Sequence, residues 1–400
     1  MNRSPAEPDE REFPAVELPP EIIEIARRLE EAGYETWAVG GALRDQLLGE
    51  DRGDVDLATA APPEAVRRLF RHTVPVGIEH GTVGVLDPSR RLHEVTTFRR
   101  DVRTDGRHAV VEFGASLEED LARRDFTINA IAYHPTRQQW ADPFRGFADL
   151  REGVVRAVGN PARRFQEDYL RVLRAIRFAA RFDFEIEPVT WAAAVTAAPG
   201  LRGLSAERVR DEWFKSLRTA RALHRLVRLW HEVGAAAIWL PELRPTWPGG
   251  EVPREERDPV VLTALACASP AGVLHRLRCS GDELARAEAL QRGPAQPASA
   301  DEVAVRRWLA AVGEAAADHL LLVRYRGEEP DWLPVVQRVR ERGDPVSRAG
   351  LAITGHDLMA SGIPAGPEMG RVLDLLLDAV LADPSLNTRE RLLELTRSLQ

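Results

Sequence analysis

The chain has 400 residues, 44% of them hydrophobic and 29% charged, with a formal net charge of −8; this length exceeds what one core usually holds and predicts two or more domains. Its longest apolar stretches, such as VGAAAIWLP at 233–241, fall far short of the ~20 residues a membrane span requires. The polar, proline-rich segment 1–20 has neither the apolar run of a signal peptide nor the arginine-rich amphipathic pattern of a transit peptide, so a loose tail and a cytoplasmic protein without a membrane partner are expected.

Cys267 and Cys279 lie outside any CxxC and have no His partner at metal-ligand spacing, which indicates neither a disulfide framework nor a zinc site. The acidic average argues against a protein that coats nucleic acid, yet it conceals clustering. Residues 163–182 carry six arginines against Glu167 and Asp168, a local excess that a phosphate would feel.

From Glu21 to Phe147 short β-like runs alternate with helical patterns: YETWAVGG, ALRDQLLG, VDLAT, EAVRRLFR, TVGVLDP, LHEVTTF and AVVEF. This predicts an α+β head with a small mixed sheet over 21–150. After Pro161 helical periodicity takes over, in YLRVLRAIRFAARF, in 207–234, in 302–326 and in MGRVLDLLLDAVLAD. The remainder is therefore expected to be all helical, and the Pro- and Gly-rich breaks at 243–258 and 291–301 mark surface loops or subdomain joints.

The first motif that carries chemistry is AVGGALRDQLLGEDRGDVDLAT, residues 38–59. Gly40 and Gly41 let a backbone approach a ligand closely, and a helix starting near Ala42, with Arg44 in its first turn, presents free N–H groups to an anion. Many tight turns share this pattern. Asp54 and Asp56 stand two apart beside Val55 and Leu57; on a strand both carboxylates point to one face, where hard oxygens suit Mg²⁺. A solvated turn after Arg52-Gly53 has the same spacing. Glu94, in the alternating run LHEVTTF, supplies a third acid on an adjacent strand or else a surface charge. Three acids around divalent cations are the arrangement used for phosphoryl or nucleotidyl transfer.

GGALRDQLLG with DVDLAT resembles the polymerase-β-type nucleotidyltransferase superfamily in its class II branch of bacterial CCA-adding enzymes and poly(A) polymerases. HEVTTFRRD, DGRH, LEEDLARRDFTINAIAY (117–133), DPFRGFADLREGVVRAVGNP (142–161) and FQEDYLRVLRAIRFAARF (165–182) continue that resemblance in order, and ITGHDLMASGIPAGPEMGRVL (353–373) echoes the family's tail. The resemblance implies a catalytic head at 21–150, a helical neck at 151–218 with a base-selecting helix, a body at 219–345 and an RNA-binding tail at 346–400. It implies tRNA as partner, CTP and ATP as substrates and Mg²⁺ as cofactor; no obligatory protein partner is evident in the sequence.

Residue by residue, the resemblance implies that Arg124 binds the nucleotide and that Asp125 and Asn129 position its sugar. Arg123 and Arg124 are also expected to precede a helix capped by Asp125 or Thr127, which would aim charge and dipole at a triphosphate; an exposed pair beside an ordinary cap reads the same way. On a helix Asp168 and Arg171 are neighbours at i and i+3, with Arg174 and Arg177 along the same ridge. The plain alternative is a surface ion pair. The chemical reading is that an acceptor-only aspartate and a donor-only arginine match the amino group and bare ring nitrogen of cytosine and adenine, and repel guanine and uracil. The resemblance implies that use for Asp168 and Arg171, with Arg174 and Arg177 near the nucleotide. His80, in GIEHGTVGV, could touch substrate, although a lone histidine is more often structural; Trp37 and Phe178 are expected in the core. Enzymes of the same branch that add only poly(A), only CC or only A share this head, and a catalytically silent RNA-binding protein of the same fold is the alternative of another class.

Overall fold

The computed structural model describes residues 16–50, 53–77, 81–104 and 109–398. His80 and the DGRH motif lie outside these residues. The chain divides into two compact units, residues 1–239 and 240–400.

In the first unit, α1 (Pro20–Glu31) starts on a proline suited to a first helical turn and turns Ile22, Ile25, Ala26 and Leu29 inward. It is followed by β1 (Thr36–Val39), α2 (Gly41–Leu47), β2 (Asp56–Thr59), α3 (Pro63–Leu69), β3 (Thr73–Gly77), β4 (Thr82–Leu86) and β5 (Leu92–Thr97). Next come the hairpin of β6 (Arg99–Thr104) and β7 (Ala109–Phe113), then α4 (Leu117–Ala122), β8 (Ala132–His134), β9 (Gln139–Ala141) and α5 (Gly146–Glu152). Seven strands form one mixed sheet in the order β3-β4-β5-β2-β1-β8-β9, in which β2 and β5 run parallel and the other neighbours antiparallel.

Strand alternation divides this sheet's side chains between two cores. Ala38, Leu57, Val83, Val85 and Val95 pack with residues of α1 and α3 on one face. Trp37, Val39 and Ala58 face the other way and pack with Phe98, Leu121, Ala130, Ala132 and Val158. Trp37 is thus in the core, as expected.

Helices then dominate: α6 (Pro161–Glu167), α7 (Leu170–Phe182), α8 (Pro188–Ala197), α9 (Ala206–Thr219), α10 (Leu223–Glu232) and α11 (Ala235–Trp239). The expected all-helical stretch has one small exception, a two-stranded parallel ladder in which Val154–Val155 pairs with Glu185–Ile186. In the second unit the elements among the described residues are helices, from the 3₁₀ turn Arg254–Glu256 to Arg389–Ser398, beside one isolated antiparallel bridge between Leu243 and Cys267. Separate clusters around Trp308, Leu309 and Val336 and around Leu358, Leu376 and Leu392 form its cores. Cys267 and Cys279 are free and buried, and burial pushes the Cys267 thiol up to about 12. Among the described residues no helix is long and apolar enough to cross a membrane.

Candidate active site

A cavity of about 530 Å³ opens in the first unit between the sheet and α7. Twelve of the thirteen residues expected at the site line it: Gly40, Gly41, Arg44, Asp56, Glu94, Arg124, Asp125, Asn129, Asp168, Arg171, Arg174 and Arg177. The sheet supplies its acidic wall. Val39 pairs with Asp56 and Leu57 with Val95, so Asp56 and Glu94 each stand one step before a paired residue on adjacent parallel strands and share a face. Burial first, then the Glu94 charge, push the Asp56 carboxyl up to about 6 against the pull of Arg124, and Asp54 adds to the repulsion.

Asp54 is the exception. Strand β2 begins only at Asp56, because β1 ends at Val39 and Gly40 turns the chain away, with φ 92° and ψ −156°. Without a ladder partner to fix it, Asp54 projects into solvent with its side chain 74% exposed and pairs with Arg91 at 2.5 Å. The expected convergence of both aspartates from one strand is therefore corrected: Asp56 and Glu94 converge, and Asp54 stands beside them. Among the described residues no group of three or more His, Cys, Asp or Glu could hold a metal by itself. Two close carboxylates with one raised pKa nevertheless fit Mg²⁺, which takes one or two carboxylates and completes its shell with water and substrate phosphates.

Gly40 is required here. Its backbone conformation is one that other residues rarely adopt, and a Cβ would stand 3.3 Å from an Asp56 oxygen and 3.7 Å from an Arg124 nitrogen.

The opposite wall is basic and already paired. Arg174 donates to Asp125 at 2.7 Å and Arg177 to Glu212 at 2.6 Å. Burial pushes Asp125 up, but the Arg174 charge, the Asn129 amide at 2.8 Å and the Phe126 N–H at 2.8 Å outweigh it and hold the carboxyl well below the usual range. Arg44 is buried; it bonds Asp45 and the Asn129 side-chain oxygen and lies over the Phe178 and Phe182 rings, each 4.9 Å away. Its guanidinium thus positions Asn129, and any phosphate contact is made through what it leaves uncovered. Arg124 is less committed: it reaches the Asn129 backbone carbonyl at 3.3 Å and Asp120 at 3.6 Å, and its buried Nε has no hydrogen-bond partner among the described residues.

Two local expectations are overturned. Arg123 and Arg124 do not precede a helix; they follow α4, and Thr127–Asn129 forms a single 3₁₀ turn with no side-chain cap, too short to carry a useful dipole. Nor do Asp168 and Arg171 share one continuous helix. Asp168 is extended, with φ −157° and ψ 107°, at the break between α6 and α7. Its carboxylate accepts from the Leu170 N–H at 3.0 Å and from Arg208 at 2.7 Å. Arg171 bonds Glu167 at 2.8 Å and the backbone oxygens of Arg164 and Arg123 at 2.9 and 3.2 Å. Both side chains still reach the cavity, but each is anchored by other residues and they do not form the i, i+3 pair.

Residues 36–156 match the family described as "Poly A polymerase head domain", 183–246 "Probable RNA and SrmB- binding site of polymerase A" and 271–396 a tRNA nucleotidyltransferase domain 2. A CCA-adding enzyme of Streptococcus mutans is 33% identical over 403 residues, covering 94% of this chain and 96% of its own. The chain belongs to the CCA-adding enzyme family.

Another CCA-adding enzyme, of Leuconostoc mesenteroides, is 48% identical over 211 residues, 52% of each chain. In that and two similar alignments the chain spans about half the length of the curated relatives it matches. A crystal structure of the Bacillus stearothermophilus CCA-adding enzyme with CTP is 32% identical and superposes with a TM-score of 0.78, covering 95% of this chain and 98% of that one. The Thermotoga maritima CCA-adding enzyme with tRNA, 21% identical with a TM-score of 0.67, shares the fold. CCA-adding enzymes, as nucleotidyltransferases, generally use a divalent metal.

Asp45, which lies inside the GGALRDQLLG motif, and Arg208 and Glu212 are not among the residues expected at the site. Glu212 carries a readable signal all the same: it lies among Val209, Trp213 and Ser216, all buried on α9, and a carboxylate on a buried helical face demands a cation. Phe178, expected in the core, is 3% exposed but also floors the basic wall, 4.2 Å beneath Arg177.

Proposed function

We propose that this protein is a template-independent RNA nucleotidyltransferase that adds CMP and AMP from CTP and ATP to the 3′ end of tRNA in the cytoplasm, with Mg²⁺ and release of pyrophosphate. The observation that carries the reading is the cavity itself, which sets the Asp56–Glu94 carboxylates against an arginine wall at nucleotide size. The full-length relationship to a CCA-adding enzyme and the CTP held by a 32% identical structure support it.

In this reading the RNA 3′-hydroxyl oxygen bonds to the α-phosphorus, the bridge to the β-phosphate breaks with its electron pair left on the departing pyrophosphate, and the hydroxyl proton passes to water. Asp56 and Glu94 hold Mg²⁺. Asp54 joins them readily, since its pair with Arg91 is solvent-exposed and worth little. The bound metal supplies a lowered pKa for the attacking hydroxyl and neutralisation of the leaving group. Arg124, with a donor to spare, takes the triphosphate, and Gly40 and Gly41 let it lie close to the backbone. Arg174 fixes Asp125 and Arg44 fixes Asn129 against the sugar. Asp168 and Arg171 read the base, Asp168 by accepting from its amino group and Arg171 by donating to its ring nitrogen; their separate anchors pre-orient each of them. Arg177 acts behind them, buried against Glu212. The second unit and the neck grip tRNA by shape and backbone charge.

Purified protein incubated with tRNA lacking its end, with CTP and ATP separately and together, tests this directly. Stepwise CMP addition followed by a single AMP is expected; ATP incorporation alone onto unrelated RNA overturns it.

A further inference from the structure

The sheet face that carries Asp56 and Glu94 is covered over part of its width only. Over β1, β2 and β8 it is sealed by the core that contains Trp37, Val39 and Ala58. Over β3, β4 and β5 its side chains stay partly open to solvent: Thr82 and Thr96, hydrogen-bonded to each other at 3.0 Å, flank Glu94 on one side, and on the other, toward β3, the face is apolar. Gly84 pairs with Glu94 on one side and with Val74 on the other, so these three share the face, and Leu92, two before Glu94, shares it too. Val74, Val76 and Leu92 are 38, 41 and 37% exposed. A Cβ on Gly84 would lie 2.5 Å from a Leu92 methyl and 2.8 Å from a Val76 methyl, which shows that both side chains lean over the glycine and close into one surface. The opposite face of the same strands carries Val83, Val85 and Val95 in the first core. An antiparallel sheet with one face packed ordinarily turns polar residues to water on the other; Thr82, Glu94 and Thr96 follow that pattern, and Val74, Val76 and Leu92 depart from it together.

Its position decides the partner. Neighbouring strands lie about 5 Å apart, so the apolar surface begins about one strand from Glu94, on the side away from the arginines of α7. The incoming nucleotide takes the arginine side. The attacking 3′-hydroxyl must meet its α-phosphate at the carboxylates, which leaves the β3–β5 side for the nucleoside that carries that hydroxyl.

We propose that the Val74–Val76–Leu92 surface seats the base or sugar of the RNA's 3′-terminal nucleotide; this rests on the nucleotidyl-transfer reading above. Its chemistry fits the task. The terminal base changes each time a nucleotide is added, so a seat that reads hydrogen-bonding edges would stall after one step. An apolar platform without donors or acceptors takes any base by its face, as stacking platforms in single-strand binding do.

The double variant Val76→Ser/Leu92→Ser tests it. Both positions are partly exposed, so folding is retained, which thermal melting checks. With CTP saturating, the KM for tRNA lacking its end is expected to rise about five- to tenfold, while the KM for CTP and the salt dependence of RNA binding stay as in the wild type, because no charge contact is removed. Val76→Ile/Leu92→Met should restore the wild-type value. Equal loss in both KM values, or no change in the RNA KM, overturns the proposal. A second measurement is independent of catalysis: RNA ending in 4-thiouridine, irradiated with the inactive Asp56→Asn protein, should crosslink to the β3 or β5 peptide, and a crosslink confined to α7 overturns it. Failure of the wild type to extend any RNA would instead sink the nucleotidyl-transfer reading, and the crosslink distinguishes the two.

Discussion

The two walls of the cavity treat charge in opposite ways. On the sheet, burial and then the Glu94 charge push Asp56 up to about 6 and Arg124 offsets them only in part, so the protein leaves negative charge incompletely compensated. On the helical side the buried acids have their bases: Asp125 with Arg174, Glu212 with Arg177, Asp45 with Arg44 and Arg181. The first wall suits a cation brought from outside. The second is pre-organised, so its remaining donors need little rearrangement to meet a nucleotide.

Breaking the acidic wall should have the largest effect. Asp56→Asn removes a carboxylate that would hold the metal, and nucleotide addition is expected to fall by at least about 1,000-fold, equivalent to about 4 kcal/mol, read in single-turnover extension of tRNA. Breaking the basic wall should show instead in stability. Glu212→Gln leaves Arg177 charged, buried and without its carboxylate, a loss of about 3 kcal/mol in urea unfolding; a variant as stable as the wild type would mean that Arg177 is not locked by Glu212.

Gly40→Ala tests where the walls meet. It forces a backbone conformation costing about 2 kcal/mol and sets a methyl against Asp56 and Arg124, so both stability and the KM for nucleotide should worsen. The smallest effect sharpens the contrast through pH. Because the folded pKa of Asp56 lies above its ordinary 3.8, the folded form binds the proton more tightly, and this group's contribution to stability falls as pH rises from about 4 to about 6. Without metal, the melting temperature of the wild type should drop relative to Asp56→Asn across that window, by the equivalent of about 1–2 kcal/mol, and Mg²⁺ at about pH 7.5 should restore it. Parallel curves with no metal effect would argue that Asp56 is not the cation ligand.

Much of the site was legible in the sequence because residue type and spacing restrict chemistry. The GG turn, Asp56 and Glu94 on alternating strands, and the arginine ridge at i+3 steps could be read from periodicity, and the cavity gathers them. Legibility failed where a local rule met a chain break. Asp54 looked equivalent to Asp56 by period two, but a side chain is fixed only where a neighbouring strand continues, and β1 stops at Val39. Asp168 and Arg171 looked like helical neighbours, but the helix restarts at Leu170 with Asp168 extended before it. Arg124 looked like the start of a helix and stands after the end of one.

The sequence by itself determined the two-part α+β and helical organisation, the hydrophobic faces and the identity of the groups that bear charge, since these follow from period, composition and side-chain chemistry. Only the tertiary structure decided which charges neutralise one another. Glu212 lies 35 residues from Arg177, and Asp125 lies 49 from Arg174; no local spacing reports a pair formed by packing α9 against α7 or the head against the neck. It also decided which half of the sheet stays open, because the residues that cover β1 and β2 come from Phe98, Leu121 and Val158, far along the chain, and among the described residues nothing comparable buries Val74 and Val76 on β3.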